Sequence, residues 1–500
     1  MHQLQEKREK RWPLIVFSLC VFAFLMVFFL GYHPLVVNNL DDWTYLSFSR
    51  PAVPQRDAWN PARILPEILM PACAQLAVWL VLPVTGDYLL SMSLVFNTAL
   101  CLMITLYVAL FVRLLMRLMK TGMPLAMLLS VLFVVFHFRS WMSPWIPSQH
   151  LFFSEGLTTT YYYTMPALLN LVLVMLMESA RQGDSFVSPE RPIAGGMIIL
   201  LMYLAIFSNL YSSVILAVYC GVRMALSFVH TLMKRTPLRA WLKENLLGGG
   251  VLTAWFVSMG FELFGSRAGS MASKEPLLAR IKETVSILLV EIERMEDTVF
   301  WLCVLMIAAG LAALLISRGK KDADRTYACM LLRSLLCAGL TLAYLILLSA
   351  VVSPAYIARK DVLLGVMFFV FAAAFCSLAY AAEKWRQLVF ALPLVTFIMA
   401  FDVLIGINSF AASNALALPQ QTCLEIGRSY VETVIEADRA GMTEATLIVP
   451  KGNQGLGNWP YTYNMGYRML DALRNHGLVE HITDVYIVID EHFFETFGVD

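Results

Sequence analysis

The sequence predicts an α-helical polytopic membrane protein, and three observations carry that expectation. Of 500 residues 59% are hydrophobic and 15% charged, with a mean hydropathy of +0.67. A soluble domain could not cover that much apolar side chain with so little polar surface. Apolar runs of roughly 20 residues, the length a helix needs to cross about 30 Å of hydrocarbon, recur along the chain. Lys and Arg gather in alternate connections, as the orientation bias of membrane helices requires. The formal net charge of +1 says little about partners, and nucleic acid is not expected among them.

The first run, Pro13 to Tyr32, follows Lys7, Arg8, Lys10 and Arg11. It is too long for the apolar part of a cleaved signal peptide and lacks a small-residue cleavage site, so it reads as an anchor with a cytoplasmic N-terminus. Tyr88 to Val112 is the next clear span and ends in Arg113, Arg117 and Lys120. If the intervening Ile64 to Val84 also crossed, those cations would emerge on the outer side. That segment, interrupted by Pro66, Glu67, Pro71 and Pro83, is therefore expected to be juxtamembrane or re-entrant, and 33–87 becomes one long first outer loop. Further spans fall near 123–138, 160–178, 193–210, 213–231, 246–264, 298–316, 329–352, 361–381 and 388–407, about eleven in all. Arg181 and Arg191, Lys234 with Arg235, Arg318 with Lys320, Lys321 and Arg325, and Lys384 with Arg386 then lie in cytoplasmic loops of an inner or plasma membrane. Of nine cysteines only Cys423 falls in a polar stretch, and none has CxxC spacing, so they read as small buried hydrophobes.

Candidate functional residues collect on the outer side. Asp41 and Asp42, followed by Trp43, stand about ten residues past the first apolar run, and charged groups at such a mouth are commonly functional. The competing reading has Asp41 capping a helix that begins near Trp43, with Asp42 solvated. The segment Arg139 to Gly156 carries Trp141, Trp145, His150 and Glu155 and leads into Tyr161, Tyr162 and Tyr163. The rings suit an interfacial aromatic belt, whereas Glu155 and His150 call for a partner or a task. A second long outer loop, 266–298, holds Arg267, Lys274, Arg280, Lys282 and Arg294, and from Glu275 onward fits an amphipathic helix along the interface. Arg359 and Lys360, outer cations against the orientation bias, point to a bound anion such as a lipid phosphate, with headgroup anchoring as the plainer alternative.

These features divide the chain into a transmembrane part, 1–408, and a small α/β domain, 409–500, expected on the extracytoplasmic side. From Gln421 onward 12 acidic residues face five basic ones. Ala445 to Pro450 and Val485 to Asp490 read as short buried strands, and Cys423 to Arg439 and Tyr461 to His476 as helices. Gly452, Gly455 and Gly457 lack the Lys and Ser/Thr of a phosphate loop.

GxSxG, HExxH and P-loop motifs are absent. A transporter would place its acidic groups at the bilayer midplane, where Asp402 is the main candidate. Carboxylates in a wide outer loop beside cations suit transfer from a lipid-linked phosphate donor. There a base deprotonates an acceptor hydroxyl and cations stabilise the departing phosphate.

Asp41-Asp42-Trp43-Thr44-Tyr45, Trp59-Asn60-Pro61-Ala62-Arg63, Pro66-Glu67 and the Glu155 to Tyr163 region, set in this loop order, resemble the GT-C superfamily of polyprenyl-phosphate-sugar glycosyltransferases. The likeness is greatest to the bacterial uncharacterised and glucosyltransferase-like branches that modify cell-surface polysaccharide. It spans roughly the first 400 residues. The resemblance implies that Asp41 or Asp42, with a slight preference for Asp42, is the catalytic base. It further implies that Glu67 is a second acidic residue of the site, and that Arg63, Arg359 and Lys360 contact the carrier phosphate. Trp43, Trp59, His150, Glu155 and Tyr161 complete the expected substrate contacts. A divalent cation, Mg or Mn, shared by the aspartates is the one cofactor left open. The implied partners are a polyprenyl-phosphate-linked sugar, a glycan, lipid or protein acceptor, and the bilayer. A lipid-linked saccharide flippase and a noncatalytic envelope assembly protein are the rival readings.

Overall fold

The computed structural model describes residues 12–179, 192–235, 237–267, 275–317, 322–414, 418–450, 465–490 and 492–497. Lys7, Arg8, Lys10, Arg11, Arg181, Arg191, Lys274, Arg318, Lys320, Lys321, Gly452, Gly455, Gly457 and Tyr461, named above, lie outside the described residues. The chain is a polytopic α-helical membrane protein: among the described residues ten helices are long and apolar enough to span a bilayer, and two shorter apolar helices accompany them.

In chain order the elements begin with α1, Trp12–Tyr32, apolar on every face as a lipid-embedded helix must be. A short polar helix, α2, Leu40–Ser47, follows. Next come α3, Ile64–Thr85, and α4, Tyr88–Leu118. Gly86, at φ 67°, closes α3 in the left-handed region that only glycine adopts freely, and the Asp87 side chain caps α4 by accepting from Leu90 N at 3.0 Å. Both ends of α3 lie near α2: Tyr45 senses Glu67, and Tyr88, just past the far end, stacks on Trp43. Glu67, in its first turn, contacts Arg50 and Tyr162, while Asp87, just past its end, contacts the C-terminal region through Arg428.

The bundle continues with α5, Met123–Arg139, α6, Leu157–Ser179, α7, Pro192–Ile206, α8, Leu210–Lys234, α9, Leu238–Glu244, and α10, Leu246–Leu263. The amphipathic α11 covers Leu277–Glu293. After it come α12, Asp297–Ser317, α13, Asp322–Val352, α14, Lys360–Lys384, and α15, Arg386–Ile405. Helices α6 and α14 form the centre, with 94% and 89% of their apolar windows buried against 22% for α1 and α15. Helix α14 packs against α12 and α13, and α6 against α4 and α8.

Gly310 lets α12 approach α14. A Cβ there would stand 2.6 Å from Ser377 Cβ and 2.9 Å from its Cα, and would strike the Tyr327 hydroxyl. Gly310→Ala is expected to cost about 1–3 kcal/mol through overpacking, read as a lowered thermal midpoint of the detergent-solubilised protein; an unchanged midpoint would show that the helices can separate freely.

The C-terminal region contains α16, Gln420–Arg439, β1, Glu444–Pro450, α17, Met465–Asn475, and β2, Asp484–Asp490. The strands pair in parallel, from Glu444 opposite Asp484 to Pro450 opposite Asp490. A parallel pair needs a crossover between its strands, and α17 supplies it. Ala445, Leu447 and Val449 alternate inward, while Ile448, Tyr486 and Val488 stay exposed. Helix α17 rests on α2, and α16 on α4.

Candidate functional site

The two adjacent aspartates have different environments because α2 begins at Leu40. Asn39 is its N-cap: the Asn39 side chain accepts from Asp42 N at 2.9 Å, and Asp42 Oδ2 accepts from Asn39 N at 3.3 Å, a reciprocal capping box. Asp42 Oδ2 also accepts from Asn38 N at 3.1 Å, and Oδ1 accepts from Thr158 N at 2.8 Å and Thr158 Oγ1 at 2.6 Å. Asp42 is 0% exposed. Burial pushes its carboxyl up to about 6, opposed by these donors, so at neutral pH it is the carboxylate its four partners require.

Successive helical residues point about 100° apart, and Asp41 is accordingly exposed to solvent. It lies low among surrounding walls that raise its carboxyl from the ordinary value, while Arg267 draws it back. The alternative of a helix starting at Trp43, capped by Asp41 and with Asp42 in water, is thus reversed on both counts. The capping position falls to Asn39 because its extended backbone, φ −117° and ψ 171°, lets the short amide reach the first free N–H groups.

Around Asp41 the chain assembles a polar recess. Asn60 Nδ2 donates to Tyr45 Oη at 3.2 Å, and Arg267 Nη1 donates to Asn60 Oδ1 at 3.0 Å. Glu67 is buried against Arg50, 3.1 Å away, and accepts from Tyr162 Oη at 2.9 Å. Arg50 in turn donates to the carbonyls of Asn60 and Pro61, fastening the loop before α3.

Arg63 is 8% exposed, with its guanidinium 5.4 Å from the Tyr162 ring centre and 5.9 Å from that of Tyr163. Among the described residues its Nε has no partner, and no carboxylate lies within 4.0 Å of it. Arg359 stacks 3.9 Å from the Tyr163 centre and is held by both oxygens of Asp361, at 3.1 and 2.7 Å. Arg63, Arg267 and Arg359 all act electrostatically on Tyr163. Two guanidiniums, Arg63 and Arg359, therefore share the Tyr163 ring, and Tyr45 senses Asp41, Glu67 and Arg63 together.

The remaining expected residues lie elsewhere. Lys360 turns from Arg359 to pair with Glu291 of α11 and sits 4.8 Å from the Trp141 ring centre. His150 is enclosed by Phe28, Phe29, Phe138 and Phe410. Tyr161 points into the bundle, its hydroxyl donating to the Phe96 carbonyl at 2.8 Å. Trp59 and Glu155 are exposed, and Trp43 is buried, stacked 6.4 Å from Tyr88. Sequence reasoning left Arg50, Tyr45, Asp361 and Glu262 unassigned; Glu262, which accepts from Ala62 N at 3.4 Å and acts electrostatically on Arg63, is a carboxylate at the end of an apolar helix and carried a readable signal.

The C-terminal region reaches this site. His476 Nδ1 lies 2.8 Å from Tyr88 Oη, its ring also bonds the Leu46 backbone of α2, and Arg428 pairs with Asp87 at 2.6 Å. A neutral ring that accepts from Tyr88 and donates to the Leu46 carbonyl satisfies both contacts. Burial lowers His476 to about 4, with the Leu46 bond opposing. Because this folded value lies below the unfolded 6.5, the stabilisation is complete above pH 6.5 and is lost as pH falls toward 4. The loss reaches about 3 kcal/mol. The expected result is that acidification across this window exposes α17 to limited proteolysis, and that His476→Gln flattens the pH dependence; parallel profiles for the two proteins would refute it.

A divalent cation bridging the aspartates does not fit this donor set. Asp42 commits both oxygens to hydrogen-bond donors, and among the described residues no three His, Cys, Asp or Glu side chains gather to hold a metal. All nine cysteines are free thiols. No family model, curated protein or solved structure matches the chain.

Proposed function

We propose that the chain is a GT-C-type membrane glycosyltransferase. It would move a sugar from a polyprenyl-phosphate carrier to a hydroxyl of a glycan, lipid or protein acceptor at the outer face of the membrane. The observation that carries the reading is a solvent-reached carboxylate, Asp41, under the influence of Arg267, which together with Arg63 and Arg359 also acts on Tyr163. Asp41, its proton affinity raised by its walls, takes the acceptor proton as the hydroxyl oxygen bonds to the anomeric carbon. The bond from that carbon to the carrier phosphate breaks with inversion. The phosphate leaves bearing the electron pair, its charge met by the arginines. Asp42 holds α2 in place and Glu67 braces the loop around Arg63.

The path of α3 supports the orientation. With both of its ends near α2, it is read as an in-plane element. With the two shorter apolar helices counted, the crossings number eleven, the N-terminus is cytoplasmic, and the recess and C-terminal domain are extracytoplasmic. The test is transfer by the purified protein in vesicles carrying a panel of polyprenyl-phosphate sugars, with surface-glycan composition compared in cells with and without the chain. Asp41→Asn is expected to lower transfer by about 10²- to 10⁴-fold. Unchanged glycans, or altered carrier transport without any transfer, would reject the enzyme reading.

A further inference from the structure

On the side of the bundle away from Asp41, helices α4, α6, α8, α13 and α14 line a narrow, partly open cleft. Its walls are mostly apolar, including Met175, Met330, Phe368 and Phe369, yet it contains Glu178, Tyr219 and Arg333. The location follows from helix direction. Helix α4 starts at Tyr88, beside Trp43, and finishes at the opposite face, where Arg117 Nη1 donates to the Ser179 carbonyl at the end of α6 at 2.7 Å. Arg333 lies eleven residues beyond Asp322 in α13, about 16 Å along the helix. It is thus well inside the leaflet opposite the Asp41 recess.

Ionisable groups at such depth are rare and usually have a task. A single Glu178 oxygen takes both the Arg333 Nη1 donor at 2.8 Å and the Tyr219 hydroxyl at 2.6 Å. Among the described residues the buried Arg333 Nε has no partner. Arg223, one turn beyond Tyr219, acts on the same hydroxyl as Arg333 does, and Arg113 and Arg117 stand near enough to repel each other. One carboxylate is set between two guanidiniums, Arg333 and Arg223, so the site keeps excess positive charge after its internal pair is made. An unmet guanidinium edge beside an apolar wall selects an amphiphile with an anionic head, and basic pockets between membrane helices do bind phospholipid headgroups.

We propose that this opening binds an anionic glycerophospholipid of the leaflet opposite Asp41. The lipid phosphate meets Arg333 and Arg223, and the start of an acyl chain lies against Phe368 and Phe369. The site is independent of the glycosyltransferase reading. The test is native mass spectrometry of the delipidated full chain, titrated in parallel with phosphatidylglycerol, phosphatidylcholine and glycerol phosphate. Phosphatidylglycerol is expected to be retained at least tenfold more strongly than either of the others. Arg333→Gln should abolish that preference, and Glu178→Gln, which frees the guanidinium, should strengthen it. Arg223→Gln, at an exposed position, serves if the Arg333 variant fails to fold and should weaken retention severalfold. Equal retention of the two lipids, retention of glycerol phosphate as strong as that of phosphatidylglycerol, or a preference indifferent to Arg333 and Arg223 would overturn the proposal.

Discussion

Asp42→Ala is expected to destabilise the protein by at least about 4 kcal/mol, whereas Asp41→Ala leaves the thermal midpoint nearly unchanged. The first substitution strands Asn38 N, Asn39 N, Thr158 N and Thr158 Oγ1 in a site closed to water. Each buried donor left unmet costs about 1–3 kcal/mol, a large part of the roughly 5–15 kcal/mol that holds a typical domain together. Asp41 makes no comparable set of bonds, and water can solvate whatever replaces it. Thermal unfolding in detergent, run beside the transfer assay, separates the roles: Asp42 variants lose the fold, and Asp41→Asn keeps the fold and loses transfer. Equal thermal shifts from Asp41→Ala and Asp42→Ala would contradict this division.

Glu67→Ala should cost about 3–5 kcal/mol, because it leaves the Arg50 guanidinium, whose side chain is 1% exposed, without its counter-charge. Tyr162 loses its acceptor in the same step. The pair's own contribution is smaller than that figure, since much of it is the penalty of an unpaired buried charge. A double-mutant cycle with Arg50→Met isolates the coupling, although the Asn60 and Pro61 carbonyls then lose their donor as well. A Glu67→Ala protein as stable as the parent would show that water enters this part of the recess.

The parts readable from sequence are those governed by local pattern. Apolar length located the helices, and short apolar runs located β1 and β2, each within a residue of the expected bounds, though the strands are not buried throughout: Ile448, Tyr486 and Val488 are exposed. Partner choice was not readable, since it depends on which face of an element meets which distant segment. Asp42 is satisfied by Thr158, 116 residues away, and no spacing rule between them exists. Arg359 and Lys360 are neighbours in sequence, but one precedes α14 and stacks on Tyr163 while the other enters its first turn and reaches Glu291. His150 looked polar enough to need a task, yet four phenylalanine rings enclose it. A single sequence contains no record of these distant contacts.

The course of α3 has a mechanical consequence. A helix that crosses a bilayer must tilt, or deform the lipid, when hydrocarbon thickness changes. As the in-plane element proposed above, helix α3, tied to Arg50 and Tyr162 near its start and leading to the Asp87–Arg428 pair past its end, would be referenced to one surface only. On this account the height of Asp41 above the lipid follows that surface alone, and the recess keeps its depth in membranes of differing thickness.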